Sequence, residues 1–408
     1  MHTDSASKDG LGYVCAYFFA FCAIGTFSPL LGQYLSSMGF SGTQIGSITA
    51  SGAVVAISFS AFWGKSYKRS DNKKSLVLKL IIGAVLVCML LSFVNIYILF
   101  LLTFCAFHFF QAPAIALLDP MTIEDGQVFG AVRKWGAIGF AIGVFISGEL
   151  SELLGLSVIF FLYTGIFSLF ALTLYIMSRA ERRKIKAEKL KSSLEPGGES
   201  VTSGQSVPHE SSINSLKEKP SEVLYKNKKY VKLVICAFFI FGTITANNTY
   251  FGFLLLESGG SLAGIGIAFL LMAGSEAPIM AWSDKLAKMF TLEKTLLFAI
   301  LLSGIRFAWY STVPSAALLT GFFVLHGLTV GIILIEFVRY VAKVVSKEEL
   351  GLAVSLYYGL GAGLSGIFCQ LMGGIILDHA SVAGLYLFFA CMNLIGAVVY
   401  IAGKLYKA

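Results

Sequence analysis

Three ionisable residues interrupt long apolar stretches in the C-terminal part of the chain. Glu276, Arg306 and His326 each lie well inside such a stretch. Charged side chains are costly in lipid and usually serve a function there. On neighbouring helices the three groups could neutralise one another, and a carboxylate whose partner moves away would take up a proton. The pattern therefore predicts proton coupling to a conformational change, with a buried structural ion network as the alternative.

A second set of polar residues also lies in or beside apolar stretches. Asp119 and Arg133 lie at the ends of neighbouring stretches and could pair, around a solute or as a structural ion pair. The other members are Asn247, Asn248, Thr249, Tyr250, His108 and Gln111. Such groups need hydrogen-bond partners within a membrane. They are predicted either to line a wet central cavity or to bond between helices.

Composition places these residues in a membrane protein. The chain has 408 residues, of which 56% are hydrophobic and only 13% are charged. A soluble protein of this length needs more charge to cover its core. The seven Cys lie in apolar stretches without metal-ligand spacing, so neither a disulfide framework nor a structural metal is expected. Without a phosphate-binding loop or a nucleophile–base arrangement, an enzyme is not expected either.

Twelve stretches are long and apolar enough to cross a bilayer, which requires about 20 residues. They predict an all-α membrane protein whose first span is retained rather than cleaved as a signal peptide. The predicted spans are 11–37, 42–63, 75–94, 97–119, 131–151, 156–178, 230–256, 261–282, 294–312, 315–338, 352–376 and 382–403.

The basic residues predict the orientation of these spans. Arg306 apart, all of the 31 Lys and Arg residues lie in the termini, in the loops after even-numbered spans, or at the span ends that adjoin those loops. Lys and Arg are retained on the cytoplasmic side, so both termini are predicted to be cytoplasmic, in a bacterial-type inner membrane. This distribution also accounts for the net charge of +8 without a nucleic-acid partner.

The chain divides at its one long polar stretch. Residues 180–229 are charged and rich in Gly and Ser, which predicts a flexible cytoplasmic linker between six-helix halves at 1–179 and 230–408. Trp63-Gly64-Lys65 after the second span is echoed by Trp282-Ser283-Asp284-Lys285 after the eighth. Repeats related by an axis along the membrane normal, with a solute site between them, are typical of transporters.

Several motifs carry a more specific resemblance. They are Phe27-Ser28-Pro29-Leu30, residues 38–46, Leu117-Leu118-Asp119, residues 129–140 with Arg133 and Trp135-Gly136, and His326-Gly327. Over nearly its whole length the chain resembles the lactose permease and phenylpropionate permease branch of the major facilitator superfamily.

This resemblance implies roles for individual residues. Glu276, Arg306 and His326 match positions that serve substrate affinity and proton transfer, and Arg133 matches a sugar-binding Arg. Thr329 stands where lactose-type members have a Glu. Ala116 replaces a sugar-binding Glu, and Phe140 replaces the Trp that stacks on a galactoside.

These observations predict a proton-coupled symporter that imports a small organic solute by alternating access. The solute would be a sugar or oligosaccharide, an aromatic acid such as phenylpropionate, or a nucleoside. Partners are the solute, the proton and the lipid bilayer, with no further cofactor and a monomeric state. The alternatives are an efflux antiporter, which the lack of a Gly-Pro motif in span five disfavours, and a solute sensor that does not transport.

Overall fold

The computed structural model describes the backbone of residues 3–194 and 224–407. Most of the predicted linker, residues 195–223, therefore lies outside the described residues. The described part is helical and contains no strand. This confirms the predicted all-α class.

Twelve helical segments follow one another along the described chain. They are α1 Thr3–Ser37, α2 Gly42–Arg69, α3 Lys73–Leu91, α4 Tyr97–Ala116 continued by Leu118–Glu124, α5 Phe129–Leu154, α6 Val158–Leu194, α7 Lys228–Glu257, α8 Leu262–Phe290, α9 Leu292–Tyr310, α10 Ala316–Phe322 continued by Val324–Val344, α11 Leu350–Leu356 continued by the π-helix Tyr357–Leu364 and by Ser365–His379, and α12 Val382–Ala402.

Ten of these helices are long and apolar enough to cross a membrane by length and composition. In α8 the apolar helix among the described residues covers Leu262–Glu276, and α9 is the other helix outside these ten. The 19 residues of α9 include three charges, Glu293, Lys294 and Arg306. The described residues thus form a multi-pass helical membrane protein, while the count of twelve spans and the cytoplasmic termini stay predictions.

Polar residues fix where several helices begin. The Ser41 hydroxyl oxygen accepts a hydrogen bond from the backbone N–H of Gln44, and the Gln44 side-chain oxygen accepts one from the backbone N–H of Ser41, so α2 starts at a complete capping box. Ser261 and Ser381 cap α8 and α12 through one bond each, in which the Ser hydroxyl oxygen accepts from the backbone N–H three residues on. These caps place the helix ends in the short loops and so set the register of each span.

The apolar core shows where the two parts of the bundle join. We call the end that carries the Lys-rich loops, such as residues 65–74 and 226–232, the basic end. One cluster runs through the N-terminal helices from Tyr67 at the basic end, and away from that end it unites N-terminal residues such as Phe107 with C-terminal ones such as Phe251 and Phe323. Near the basic end, the C-terminal helices have a separate cluster around Tyr230 and Phe337. The two parts therefore share a core at the opposite end and not at the basic end.

Glycines bring the helices of the two parts together at the opposite end. A Cβ on Gly374 of α11 would overlap the carbonyl oxygen of Gly42 on α2. A Cβ on Gly148 of α5 would lie 2.8 Å from the carbonyl oxygen of Leu262 on α8. Small residues allow such backbone approach in lipid, where no hydrophobic force drives helices together. The α2–α11 and α5–α8 crossings therefore close the opposite end.

At each of these crossings, a carboxylate from the end of one helix binds the backbone N–H groups at the start of the other. Asp378, at the end of α11, accepts hydrogen bonds from the backbone N–H groups of Gly42 at 2.5 Å and Thr43 at 2.7 Å. Glu152, at the end of α5, accepts from the N–H of Leu262 at 2.8 Å. An anion is favoured at a helix N-terminus by the helix dipole. We call Asp378 and Glu152 the two carboxylate caps.

An ion pair with a buried carboxylate stabilises the basic end of the C-terminal helices. Nζ of Lys343 on α10 lies 2.5 Å from Oε1 of Glu293 on α9, whose side chain is 3% exposed. Lys343→Met would leave this carboxylate buried without its partner. Since the Lys343 side chain is half exposed, we expect a loss of about 2 kcal/mol in unfolding free energy.

The measurement is the thermal unfolding midpoint of the purified protein in detergent. Lys347→Met, on an exposed neighbour, is the matched control and should not change the midpoint. Adding Glu293→Gln to Lys343→Met should restore part of the loss, because the buried charge is then gone. Equal midpoints for Lys343→Met and the control would contradict the prediction.

Candidate functional site

A charge pair spans the two parts of the bundle where α5 and α8 run side by side. Arg133 on α5 lies near enough to Glu276 on α8 for their opposite charges to interact. Both side chains are only partly buried, and they are not in ion-pair contact within 4 Å among the described residues. The two opposite charges therefore lie on facing helices without forming a direct ion pair.

The antiparallel register of α5 and α8 explains why these two residues meet. The helices cross closely at Gly148 and Gly266. Further toward the basic end, the ring of Phe140 meets the ring of Phe269 edge to face at 6.3 Å. Arg133 and Glu276 each lie seven residues beyond these rings, which is about two helical turns. From the close crossing toward the basic end, the two helices therefore present first the aromatic pair and then the charge pair.

Arg133 is held by aromatic rings rather than by the carboxylate predicted as its partner. Its Cζ lies 4.2 Å from the ring centroid of Phe21 and 5.8 Å from that of Tyr17, both on α1. Asp119 instead accepts a hydrogen bond of 2.6 Å from the hydroxyl of Tyr17. Tyr17 therefore lies between Asp119 and Arg133 and links the two.

Arg306 and His326 are enclosed together among the C-terminal helices. Arg306 is 2% exposed and His326 is 1% exposed, and Arg306 acts electrostatically on His326. The Arg306 guanidinium lies 4.2 Å from the Phe307 ring centroid, and its Nη2 donates to Ser303 at 3.5 Å. Among the described residues, no carboxylate forms an ion pair with Arg306.

Two members of the predicted trio are enclosed together, and the third, Glu276, lies against α10 beside Gly331. The enclosed two are Arg306 and His326, and Glu276 also lies near Arg133 in the other part of the chain. Asn247 joins the buried group, with its Nδ2 3.4 Å from Nε2 of His326. Tyr386 donates to Oδ1 of Asn247 at 3.0 Å. This arrangement suits a fixed polar core between α7, α10 and α12.

The other predicted polar residues of α7 have different surroundings. The Tyr250 hydroxyl donates to the carbonyl oxygen of Gln370 at 2.8 Å, and the Gln370 side chain donates to Thr249 at 2.9 Å. These bonds hold α7 to α11 near the closed end. Asn248 is partly buried and lies on α7 beside the buried Asn247.

His108 and Gln111 lie on α4. The His108 ring packs on Phe104 at 4.6 Å, and a Cβ on Gly52 of α2 would lie 2.7 Å from it. His108 thus fits a gap between α2 and α4, where it lines a cavity of about 160 Å³. Gln111 is buried, with 8% exposure.

Sequence reasoning missed five residues that complete the site or close the bundle: Tyr17, Phe21, Gln370, Glu152 and Asp378. Tyr17 and Phe21 are four residues apart, which places them on one face of α1 and signals a shared surface. Glu152 and Asp378 are acidic residues at span ends. The sequence did not indicate that each would bind the N-terminus of a helix in the other part of the bundle.

The fold and the site together define a membrane transporter of the major facilitator type. Residues 11–388 match the MFS_1-like family, and the chain belongs to it.

Two curated relatives are similar over nearly their full length. The maltose permease of Geobacillus stearothermophilus is 31% identical over 94% of this chain and 91% of its own. The uncharacterized transporter YwbF of Bacillus subtilis strain 168 is 29% identical over 93% of this chain and 90% of its own.

Solved structures share the fold at much lower identity. The nucleoside transporter NupG has a TM-score of 0.79 at 17% identity, covering 98% of this chain and 99% of its own. A D-xylose-proton symporter has a TM-score of 0.66 at 10% identity, covering 95% of each chain. These two likenesses establish the fold.

Proposed function

We propose that this protein is a proton-coupled symporter that imports a sugar, with a disaccharide of the maltose type as the first candidate. The observation that carries the proposal is the close α5–α8 crossing between the two parts of the bundle, beyond which Arg133 and Glu276 lie at matching distances along the two helices. In this proposal the chain has twelve spans and both termini in the cytoplasm, so the basic end faces the cytoplasm.

The charge pair provides a physical basis for coupling. Alternating access opens one end of the bundle as it closes the other, so α5 and α8 must change their separation near the charge pair. A carboxylate that loses its nearby cation in a poorly hydrated site is favoured only when it is neutral. Glu276 would therefore bind a proton on one side and release it on the other, while Arg306 and His326 keep the neighbouring helices in position.

The composition of the site supports a sugar. A guanidinium donates to hydroxyl oxygens and a carboxylate accepts from hydroxyl groups, so Arg133 and Glu276 offer both kinds of contact. The partly buried ring of Phe140 offers an apolar face for the C–H surface of a sugar ring, and the buried ring of Phe269 packs against it edge to face. The likeness to a maltose permease over nearly the whole chain points to the same solute class.

A nucleoside is the second candidate for the solute. The partly buried ring of Phe140 could also pack against a nucleobase, while the ribose hydroxyls would bond to the charge pair. A sugar symporter and a nucleoside symporter respond to different added solutes, so one uptake assay separates the two candidates.

The test measures external pH in lightly buffered, de-energised cells that produce the protein, as sugars, aromatic acids and nucleosides are added in turn. We expect alkalinisation on adding maltose or a related sugar, because each imported solute carries a proton. A response only to nucleosides would reject the sugar and identify a nucleoside as the solute. Uptake without a pH change would reject coupling, and no response to any solute would reject import by symport.

A further inference from the structure

We propose that Tyr17 and Phe21 on α1, together with Gly136 on α5, position the guanidinium of Arg133 so that its N–H groups face the solute. This inference rests on the proposed solute site at Arg133 and names the residues that prepare it. Neither ring is itself required to touch the solute.

The two rings form a continuous surface beneath the guanidinium. Their planes are 15° apart and their centroids 6.3 Å apart. Arg133 lies over this surface, nearer to Phe21 than to Tyr17. An arginine over a ring face is stabilised by about 0.5–2 kcal/mol, and the planar guanidinium also stacks on such a face. The rings therefore restrict both the position and the tilt of the guanidinium plane.

Gly136 makes room for this contact. It lies three residues after Arg133, on the same face of α5. A Cβ at Gly136 would lie 2.9 Å from Cδ2 of Phe21 and 3.1 Å from Nη1 of Arg133. A residue with a side chain would thus displace the ring, the guanidinium or both. The aromatic platform depends on a glycine at this position.

Hydrogen bonds fix the platform to α4. Tyr17 is fully buried, and its hydroxyl donates to Asp119 at 2.6 Å. The Thr122 hydroxyl donates to the Tyr17 oxygen at 3.3 Å. Asp119 therefore acts on Arg133 through Tyr17, as an anchor for the ring on which the guanidinium rests.

This arrangement leaves the N–H donors of Arg133 available. Among the described residues, none accepts a hydrogen bond from the Arg133 side chain. Ring faces contact the guanidinium above or below its plane, whereas its N–H bonds point outward within that plane and stay free to donate. Two parallel donors suit a pair of neighbouring oxygens, such as adjacent hydroxyl groups of a sugar. We therefore expect the solute to carry two oxygen acceptors on neighbouring atoms.

The test uses Phe21→Leu and Gly136→Ala, with Phe21→Tyr as the conservative variant and Phe19→Leu on the same helix as the matched control. We expect the KM for solute uptake to rise about tenfold in Phe21→Leu and Gly136→Ala, a change of about 1.4 kcal/mol. The maximal rate should stay unchanged, since the residues that move the proton are intact. Phe21→Tyr keeps a ring face and should restore the original KM.

A second readout does not depend on which solute is transported. NMR of the arginine side chains should show an upfield-shifted Arg133 signal, assigned by its loss in Arg133→Lys, because the group lies over a ring face. Phe21→Leu should remove the upfield shift and Phe19→Leu should not.

An unchanged signal or an unchanged KM in Phe21→Leu would overturn the proposal. Its failure can be told apart from that of the proposed function. If the wild-type protein imports no solute, the symporter function fails while the NMR comparison still tests the platform.

Discussion

Glu276→Gln is expected to abolish proton-driven accumulation of the solute while solute exchange across the membrane continues. Glutamine has the shape of a protonated glutamate and cannot release a proton. The variant should therefore alternate between its two open states only as a neutral carrier. Its final internal solute concentration would equal the external one, whatever pH gradient is imposed.

The measurement uses proteoliposomes with an imposed pH gradient, in which accumulation and exchange of labelled solute are followed separately. Glu257→Gln is the matched control, because Glu257 is exposed at the end of α7, away from the charge pair. Accumulation by Glu276→Gln under the gradient would show that another group carries the proton, and His326 would then be the next residue to test.

The partner residue gives an independent check on this assignment. Arg133→Gln removes the cation that acts on Glu276 and leaves a carboxylate in a poorly hydrated site, which is costly. The double variant Arg133→Gln/Glu276→Gln removes both charges. We expect Arg133→Gln alone to lower the yield of folded protein more than the double variant does, measured by size-exclusion chromatography. Equal yields would argue against the pairing.

The helices could be predicted well because lipid imposes a simple rule. The predicted spans 42–63 and 97–119 begin at the same residues as α2 and α4. The structure extends both helices at their basic ends, to Arg69 and Glu124, because polar residues continue a helix beyond the hydrocarbon region. Hydropathy measures the apolar length of a helix and does not see such extensions.

The grouping of the charges could not be predicted in the same way. Order along the chain suggested that Glu276 on α8 would meet Arg306 on α9 and His326 on α10. Which charges meet depends on how each helix is rotated and on which helix it crosses. The close crossing of α5 and α8 at Gly148 and Gly266 decides this, and it joins residues that are far apart in sequence.

The second prediction with a large effect concerns the two carboxylate caps that close the opposite end. Asp378 at the end of α11 binds the start of α2, and Glu152 at the end of α5 binds the start of α8. The helix α8 comes six positions after α2, and α11 comes six positions after α5, so the two contacts are equivalent in a six-plus-six repeat. They should therefore act together, and neither should suffice alone to hold that end closed.

Neutralising both caps is expected to shift the conformational equilibrium toward opening at that end. A carboxylate at a helix N-terminus contributes about 1 kcal/mol when it is exposed to solvent. Loss of both would change the equilibrium by about 2 kcal/mol, or roughly 30-fold. Asp378→Asn and Glu152→Gln should each produce part of the shift. The combined variant should import solute with altered rates, because its closed state is reached less often.

Spin labels at Ser36 and Ala380 report this opening directly, because both residues are exposed at the opposite end and lie on different parts of the chain. In a background without accessible native cysteines, pulsed electron paramagnetic resonance should show a longer-distance population in the double variant. Glu257→Gln again serves as the control, since it removes an exposed carboxylate that caps no helix of the other part. If the double variant keeps the wild-type distance distribution, the glycine crossings alone hold the end closed. The caps would then contribute solubility or local helix stability rather than gating, and transport rates in the double variant should be normal.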